Sequence, residues 1–326
     1  MNVLVVGDLH FQEKDPPLFN LFIEKIHSWL KNKDACILLG DIQHKFKTVD
    51  REAQSLVSKL FKTITSYCKL YVLVGNHDFD NGSQYLTENH TLVPFKEWDR
   101  VDIIDKPRVV DLSPTTKILL CPYVPKGRFM EAIQDINLEE IDMVFAHQEF
   151  KGGRMGSIIC EDGDDWSESF PPVISGHLHS KQKVGKKITY IGMPYDLGWD
   201  ESEKRFVANV NFGETESKVS YIPTEMPRKI IVRLDYKDAL TWVQPDDGSY
   251  YKLKVICSKE EFKQVAKTKK DVKVIHVSID EKKVDSFLEK KRAEAGKSDK
   301  YSNIFDNLIQ KESENVVNLY KKVVRC

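Results

Sequence analysis

Six of the nine histidines in this 326-residue chain lie in five short polar motifs. In chain order these are Asp8-Leu9-His10, Gly40-Asp41-Ile42-Gln43-His44, Gly75-Asn76-His77-Asp78, His147, and Gly176-His177-Leu178-His179. Imidazole nitrogens with carboxylate and amide oxygens, and no thiolate, suit Mn, Fe, Zn and similar divalent ions. Asp8, His10, Asp41, Asn76, His77, His147, His177 and His179 are too many ligand candidates for one ion and point to two. In DxH and HxH, residues i and i+2 point to one side of an extended chain. The preceding glycines permit φ > 0 and close backbone approach. A lone DxH is common by chance, and a lone buried histidine more often satisfies a core hydrogen bond than an ion. Five motifs in succession, each after an apolar run, are a constellation. His27, His90 and His276 lack that context and are read as structural.

The runs that precede the motifs read as strands: residues 2–6, 35–39, 70–74, 143–146 and 173–175. Apolar residues at a 3.6-residue period predict helices between them. One runs over 18–30 (Phe19, Phe22, Ile26, Trp29) and one over 50–66 (Ala53, Leu56, Val57, Leu60, Ile64). Further strands are expected at 117–120, 188–191, 206–211 and 218–222. In open α/β sheets, ligands gather at the carboxyl ends of strands, so the five motifs are expected to converge. Residues 151–165 read as a glycine-rich acidic loop.

The composition, 41% apolar and 30% charged with a net charge of −1, supports a substantial core. It excludes a uniformly basic nucleic-acid-coating protein and an acidic disordered chain. No apolar run approaches the roughly 18 residues of a membrane span, and the first residues do not resemble a signal peptide. Six scattered cysteines without a CxxC pair fit neither a disulfide framework nor a zinc ribbon, and suit a reducing, cytoplasmic compartment. Residues 223–228 read as a linker. A small segment follows, with strands at 229–234, 250–257 and 272–279 and a helix at 260–267. Residues 281–326 read as two amphipathic helices. The expected domains are 1–227, 228–280 and 281–326. Residues 228–326 hold 23 Lys and Arg against 16 Asp and Glu, so a basic C-terminal part adjoins an acidic remainder.

The ordered set DxH, GDxxx, GNHD, H, GHxH resembles the signature of the calcineurin-like metallophosphoesterases over roughly residues 1–195. Within that superfamily the chain looks most like DNA-repair nucleases of the SbcD and meiotic-recombination-eleven type, particularly their phage-encoded relatives, which would place it in a host cytoplasm. Gly7-Asp8-Leu9-His10-Phe11 and Tyr190-Ile191-Gly192-Met193-Pro194 carry this closer likeness, with Met193 where the family has Ser or Thr. The resemblance implies an α/β fold: a two-sheet β-sandwich flanked by helices, a small α+β capping domain and a C-terminal helical tail. It implies two divalent ions, expected as Mn²⁺. Asp8, His10 and His179 would hold one, Asn76, His147 and His177 the other, and Asp41 would bridge them. His77 would act on the phosphate and the leaving oxygen, with Asp78 orienting it. His44 stands where many relatives carry a carboxylate, and reads as a substrate contact or a group behind the ligands. Lys204-Arg205-Phe206 departs from a Gly-Phe turn common in relatives.

The activity implied is a DNA exonuclease and endonuclease subunit of a recombination and double-strand-break repair complex. Its expected partners are DNA, an SMC-like (SbcC-type) ATPase docked on the tail, and a second copy of the chain, with no membrane. A stand-alone small-substrate phosphodiesterase or phosphomonoesterase would use the same chemistry without the capping segment and tail. A scaffold with a decayed site is disfavoured by the intact ligand set.

Overall fold

The computed structural model describes residues 1–156, 158–199, 204–213, 216–270 and 272–277. The chain forms two units. Met1–Asp196 and the chain from residue 204 to Pro227 make the first. Residues 197–199 group with the second, which resumes at Arg228, so the division does not fall on one linker.

Strands β1 (Asn2–Val6), β2 (Ala35–Leu38), β3 (Lys69–Leu73) and β4 (Val101–Ile104) run parallel in one six-stranded sheet of the first unit. The other sheet is built from β5 (Arg108–Ser113), β6 (Thr116–Cys121), β7 (Met143–His147), β10 (Val173–Gly176), β11 (Gln182–Val184) and β12 (Ile188–Tyr190). Between β7 and β10 lies a small hairpin, β8 (Arg154–Met155) and β9 (Ile158–Ile159). Strands β13 (Phe206–Phe212) and β14 (Ser217–Pro223) return to the first sheet, whose order is β14-β13-β1-β2-β3-β4. The second sheet has the order β11-β12-β10-β7-β6-β5, with β6, β7, β10 and β12 parallel.

Alternation along each strand makes the sandwich. Val3, Val5, Ile37, Leu73, Ile118, Leu120, Phe145 and Ile174 fill the space between the sheets. Leu119, Cys121, Val144, Ala146 and Val173 face the other way, onto Phe129, Phe150 and Tyr190. A central parallel strand is thus covered on both faces and reads as an unbroken apolar run. The helix α1 (Pro16–Leu30) starts on two prolines, which suit a first helical turn, and buries Leu18, Phe19, Phe22, Ile23, Ile26 and Leu30. The helix α2 (Arg51–Thr65) begins where the Asp50 carboxylate accepts the N–H groups of Glu52 and Ala53. A single short turn, α3 (Phe129–Ala132), follows β6. The two-sheet, helix-flanked α/β architecture is the one the sequence predicts.

In the second unit β15 (Lys229–Asp235), α4 (Tyr236–Thr241), β16 (Tyr250–Ile256), α5 (Lys259–Thr268) and β17 (Lys273–Val277) alternate. The three strands are all parallel, so the connections are of α/β kind where an α+β arrangement was expected. Helices supply the crossovers that parallel neighbours need. Ala239, Leu253, Val255, Cys257 and Val265 form a core of their own. The expected tail at 281–326 lies outside the described residues.

Candidate metal centre

The five motifs lie at the carboxyl ends of β1, β2, β3, β7 and β10, all parallel strands. His147 and Gly176 are the last residues of β7 and β10; the other motif residues lie beyond their strands. His10, Asp41 and His177 have φ of 48°, 49° and 81°, left-handed values uncommon for residues other than glycine. The i, i+2 alternation expected of DxH and HxH therefore does not apply; tight turns aim these side chains. Backbone strain of this kind persists where surrounding contacts fix it, often at functional sites. Two glycines make room. A Cβ on Gly75 would lie 2.2 Å from the Asp41 nitrogen, and one on Gly40 (φ +104°) 2.6 Å from His147 Nδ1.

Asp8, His10 and His179 place one donor atom each within 4.8 Å of one another, and so do Asp41, His147 and His177. Asp41 lies between the sets: Oδ2 is 3.5 Å from His10 Nε2 and Oδ1 is 3.4 Å from His147 Nε2. The Asn76 amide oxygen is 3.0 Å from His147 Nε2 and 2.8 Å from His177 Nδ1. A third set, His10, His44 and His77, contains no carboxylate.

Hydrogen bonds at the far ring nitrogens orient the imidazoles. His147 Nδ1 donates to the Leu39 carbonyl at 2.7 Å, leaving Nε2 toward Asp41 and Asn76. His177 Nε2 lies 3.5 Å from the Glu149 carboxylate, leaving Nδ1 toward Asn76. Carboxylate and carbonyl partners behind a ligating histidine fix its tautomer and raise its basicity. Glu149 was not among the sequence candidates, although it stands two residues after His147. Its His177 contact, with Lys126 Nζ at 2.8 Å, holds its pKa at about 2 despite burial. Arg205 was also missed as a support: buried against Asp196, it donates from Nη1 to the His179 carbonyl at 2.9 Å.

Asp78 does not orient His77. Its carboxylate turns inward and accepts the backbone N–H groups of Ile42, Gln43 and Gly75 at 2.9–3.3 Å. Burial and the nearby Asp41 push its pKa up to about 7, against those three donors. His77 Nδ1 donates instead to the His44 carbonyl at 2.7 Å, leaving Nε2 available to substrate. The His44 ring stacks near His77, with centroids 5.6 Å apart. His27 and His90 take ordinary partners, Tyr67 and Asp105, and the His276 side chain lies outside the described residues.

The donor atoms fit divalent cations. Asp8 Oδ2 is buried without a hydrogen-bond partner, while Oδ1 accepts the His177 N–H. His10 Nε2 and His179 Nε2 face each other at 3.1 Å, an approach that a shared proton or a shared cation satisfies. Burial lowers the His147 pKa, but Asp41 and Asp8 override it and raise the group to about 9. The carboxylates thus draw positive charge into the centre. Burial drives His10 and His179 the other way, toward neutral rings that can ligate.

The family described as calcineurin-like phosphoesterase matches residues 1–204. The chain belongs to the calcineurin-like phosphoesterases, hydrolases that use divalent metals. It is 33% identical to "Putative phosphoesterase 244L" of Invertebrate iridescent virus 6, over 82% of this chain and 98% of that one. "Putative phosphoesterase 078R" of Invertebrate iridescent virus 3 is 32% identical, over 82% of this chain and 80% of that one. A UDP-2,3-diacylglucosamine hydrolase of Psychromonas ingrahamii is 30% identical over 27% of this chain and 38% of its own. Among solved structures, the yellow lupin purple acid phosphatase PPD1 aligns at a TM-score of 0.46 and 12% identity, covering 69% of this chain and 51% of that one. No described helix is long and apolar enough to cross a membrane.

Proposed function

We propose that the protein is a two-metal, Mn²⁺-dependent nuclease that hydrolyses DNA phosphodiesters. The observation that carries the two-metal part is Asp41, whose two carboxylate oxygens address the two donor sets separately. Asp8, His10 and His179 would hold one ion, Asn76, His147 and His177 the other, with Asp41 between. Bound divalent cations supply charge neutralisation at the phosphoryl oxygens and a lowered pKa for water. The chain's own task is to hold the phosphate in line and protonate the sugar oxygen that leaves. His77, with Nδ1 fixed by the His44 carbonyl, presents Nε2 for that proton. His44 lines the same place as a substrate contact.

The second unit supports a polyanionic substrate. Leu253 and Val255 face α4 and α5, so Lys252 and Lys254 point to the opposite face of the sheet. Lys273 stands across from Lys252 in register. Like charges directly opposite are destabilising. Burial and the charges of Lys273 and Lys229 pull the Lys252 pKa down. A phosphate backbone relieves that repulsion. In the same reading the sequence at 281–326 docks an SbcC-type ATPase, and the chain pairs with a second copy through α1 and α2. Mn²⁺-dependent digestion of end-labelled duplex DNA tests the nuclease reading. Turnover of p-nitrophenyl phosphate esters with no cutting of any DNA would favour instead a small-substrate phosphoesterase, the reading closer to the partial likeness to UDP-2,3-diacylglucosamine hydrolases.

A further inference from the structure

We infer that Phe46 is a stacking platform for an unpaired nucleobase next to the scissile phosphate, so that the substrate is engaged as a single strand at the metal centre. The inference rests on the nuclease reading and specifies its substrate. Phe46 is a large apolar side chain left 36% exposed at the site. Its ring centroid is 4.2 Å from that of His77, with a tilt of 32°. It therefore adjoins the imidazole assigned to the leaving oxygen, where a flanking base must lie.

The segment that carries it is fixed at both ends. The His44 N–H donates to the Phe11 carbonyl at 3.1 Å, and the His44 carbonyl accepts from His77. Lys45 Nζ reaches Glu13 at 2.9 Å and Asp50 at 3.4 Å. Lys47 has φ of 60°, and the Thr48 N–H folds back on the Phe46 carbonyl at 2.6 Å. A turn this tight keeps the ring beside His77 with part of its surface open to solvent. Lys47, the next residue, is exposed, and so is Lys14, on the segment that Lys45 ties down through Glu13. An aromatic face between cations is the arrangement by which proteins hold single-stranded nucleic acid: the ring takes a base and the cations track the backbone. Within a duplex both faces of every internal base are stacked and closed to this ring; frayed ends and unpaired strands open them.

The test compares wild type, Phe46→Ala and Phe46→Trp in Mn²⁺ on two substrates, a single-stranded oligonucleotide and methyl p-nitrophenyl phosphate. One stacked base corresponds to roughly a ten- to hundredfold change. The ratio of oligonucleotide to small-diester kcat/KM should fall by that factor in Phe46→Ala and return in Phe46→Trp. An abasic residue beside the cut should slow wild type by a similar factor and slow Phe46→Ala little further. Equal losses on both substrates, with the abasic effect intact, would show that Phe46 merely braces His77 and would overturn the inference alone. Wild-type protein that cleaves the small diester and no oligonucleotide would overturn the nuclease reading and this inference with it.

Discussion

His77 commits Nδ1 to the His44 carbonyl; in the proposed reading Nε2 serves the substrate, so chemistry and metal holding are separable at the residue scale. In His77→Ala, elemental analysis should find the wild-type metal content, while phosphodiester hydrolysis falls roughly 10²–10⁴-fold, the usual scale of a lost general acid. A drop in bound metal would make His77 a ligand. Asp41→Ala should lose at least one ion, because the carboxylate that offsets repulsion between neighbouring cations is gone. Glu149→Ala leaves His177 without its rear partner. Metal affinity by competition with a chelator should fall about 10–100-fold, with both ions still binding at saturating metal. Unchanged affinity would reduce Glu149 to a structural partner of Lys126.

Among the elements, the segments between strands do as much as the strands. Asp50 caps α2 and also anchors Lys45, so Asp50→Ala should cost about 0.5–2 kcal/mol in denaturant unfolding and loosen the Phe46 segment. Beyond the Asn76 motif, Asp105 accepts from buried His90 at 3.3 Å and pairs with Lys96 at 2.5 Å. Burial raises the Asp105 pKa, but these two partners outweigh it and lower the group to about 2. Its stabilising contribution is complete above the ordinary carboxylate range near 4 and is lost as pH falls toward 2. The stability gap between wild type and Asp105→Asn should therefore close on acidification; a gap constant from pH 6 to pH 2.5 would refute the pairing. The strands that end in the five motifs were legible because each is buried on both faces and stops at a polar turn. Of the edge strands, β14 was expected at 218–222, whereas β4, β5 and β11 were not. β5 alternates too weakly, with Arg108 and Val109 exposed, and β11 is three residues long. Asp78 was placed correctly beside His77 in sequence and assigned the wrong partner, because adjacency says nothing about which way a turn sends a carboxylate. Glu149 and Arg205 escaped for a related reason: each supports a ligand remote in sequence or through its backbone.

At the scale of the whole molecule, charge and connectivity carry the predictions. If Lys252, Lys254 and Lys273 meet phosphates, the log–log slope of DNA affinity against salt should flatten by about 0.9 for each phosphate no longer neutralised. The triple alanine variant tests this; an unchanged slope would place DNA elsewhere. The antiparallel pairing of β1 with β13 sets Asn2 opposite Asn211 and Val5 opposite Ala208. The strand that leads into Asp8 and His10 is thus completed by residues two hundred positions later, and His177 and His179 arrive nearly as late. Pairings of such separation must close long loops before they return any stability, which makes folding slow. During synthesis, therefore, the first ligands wait for the last. A chain released before β13 has every histidine of the centre but leaves one side of β1 without its partner strand, so metal capture becomes an end-point of folding and a report on its completion.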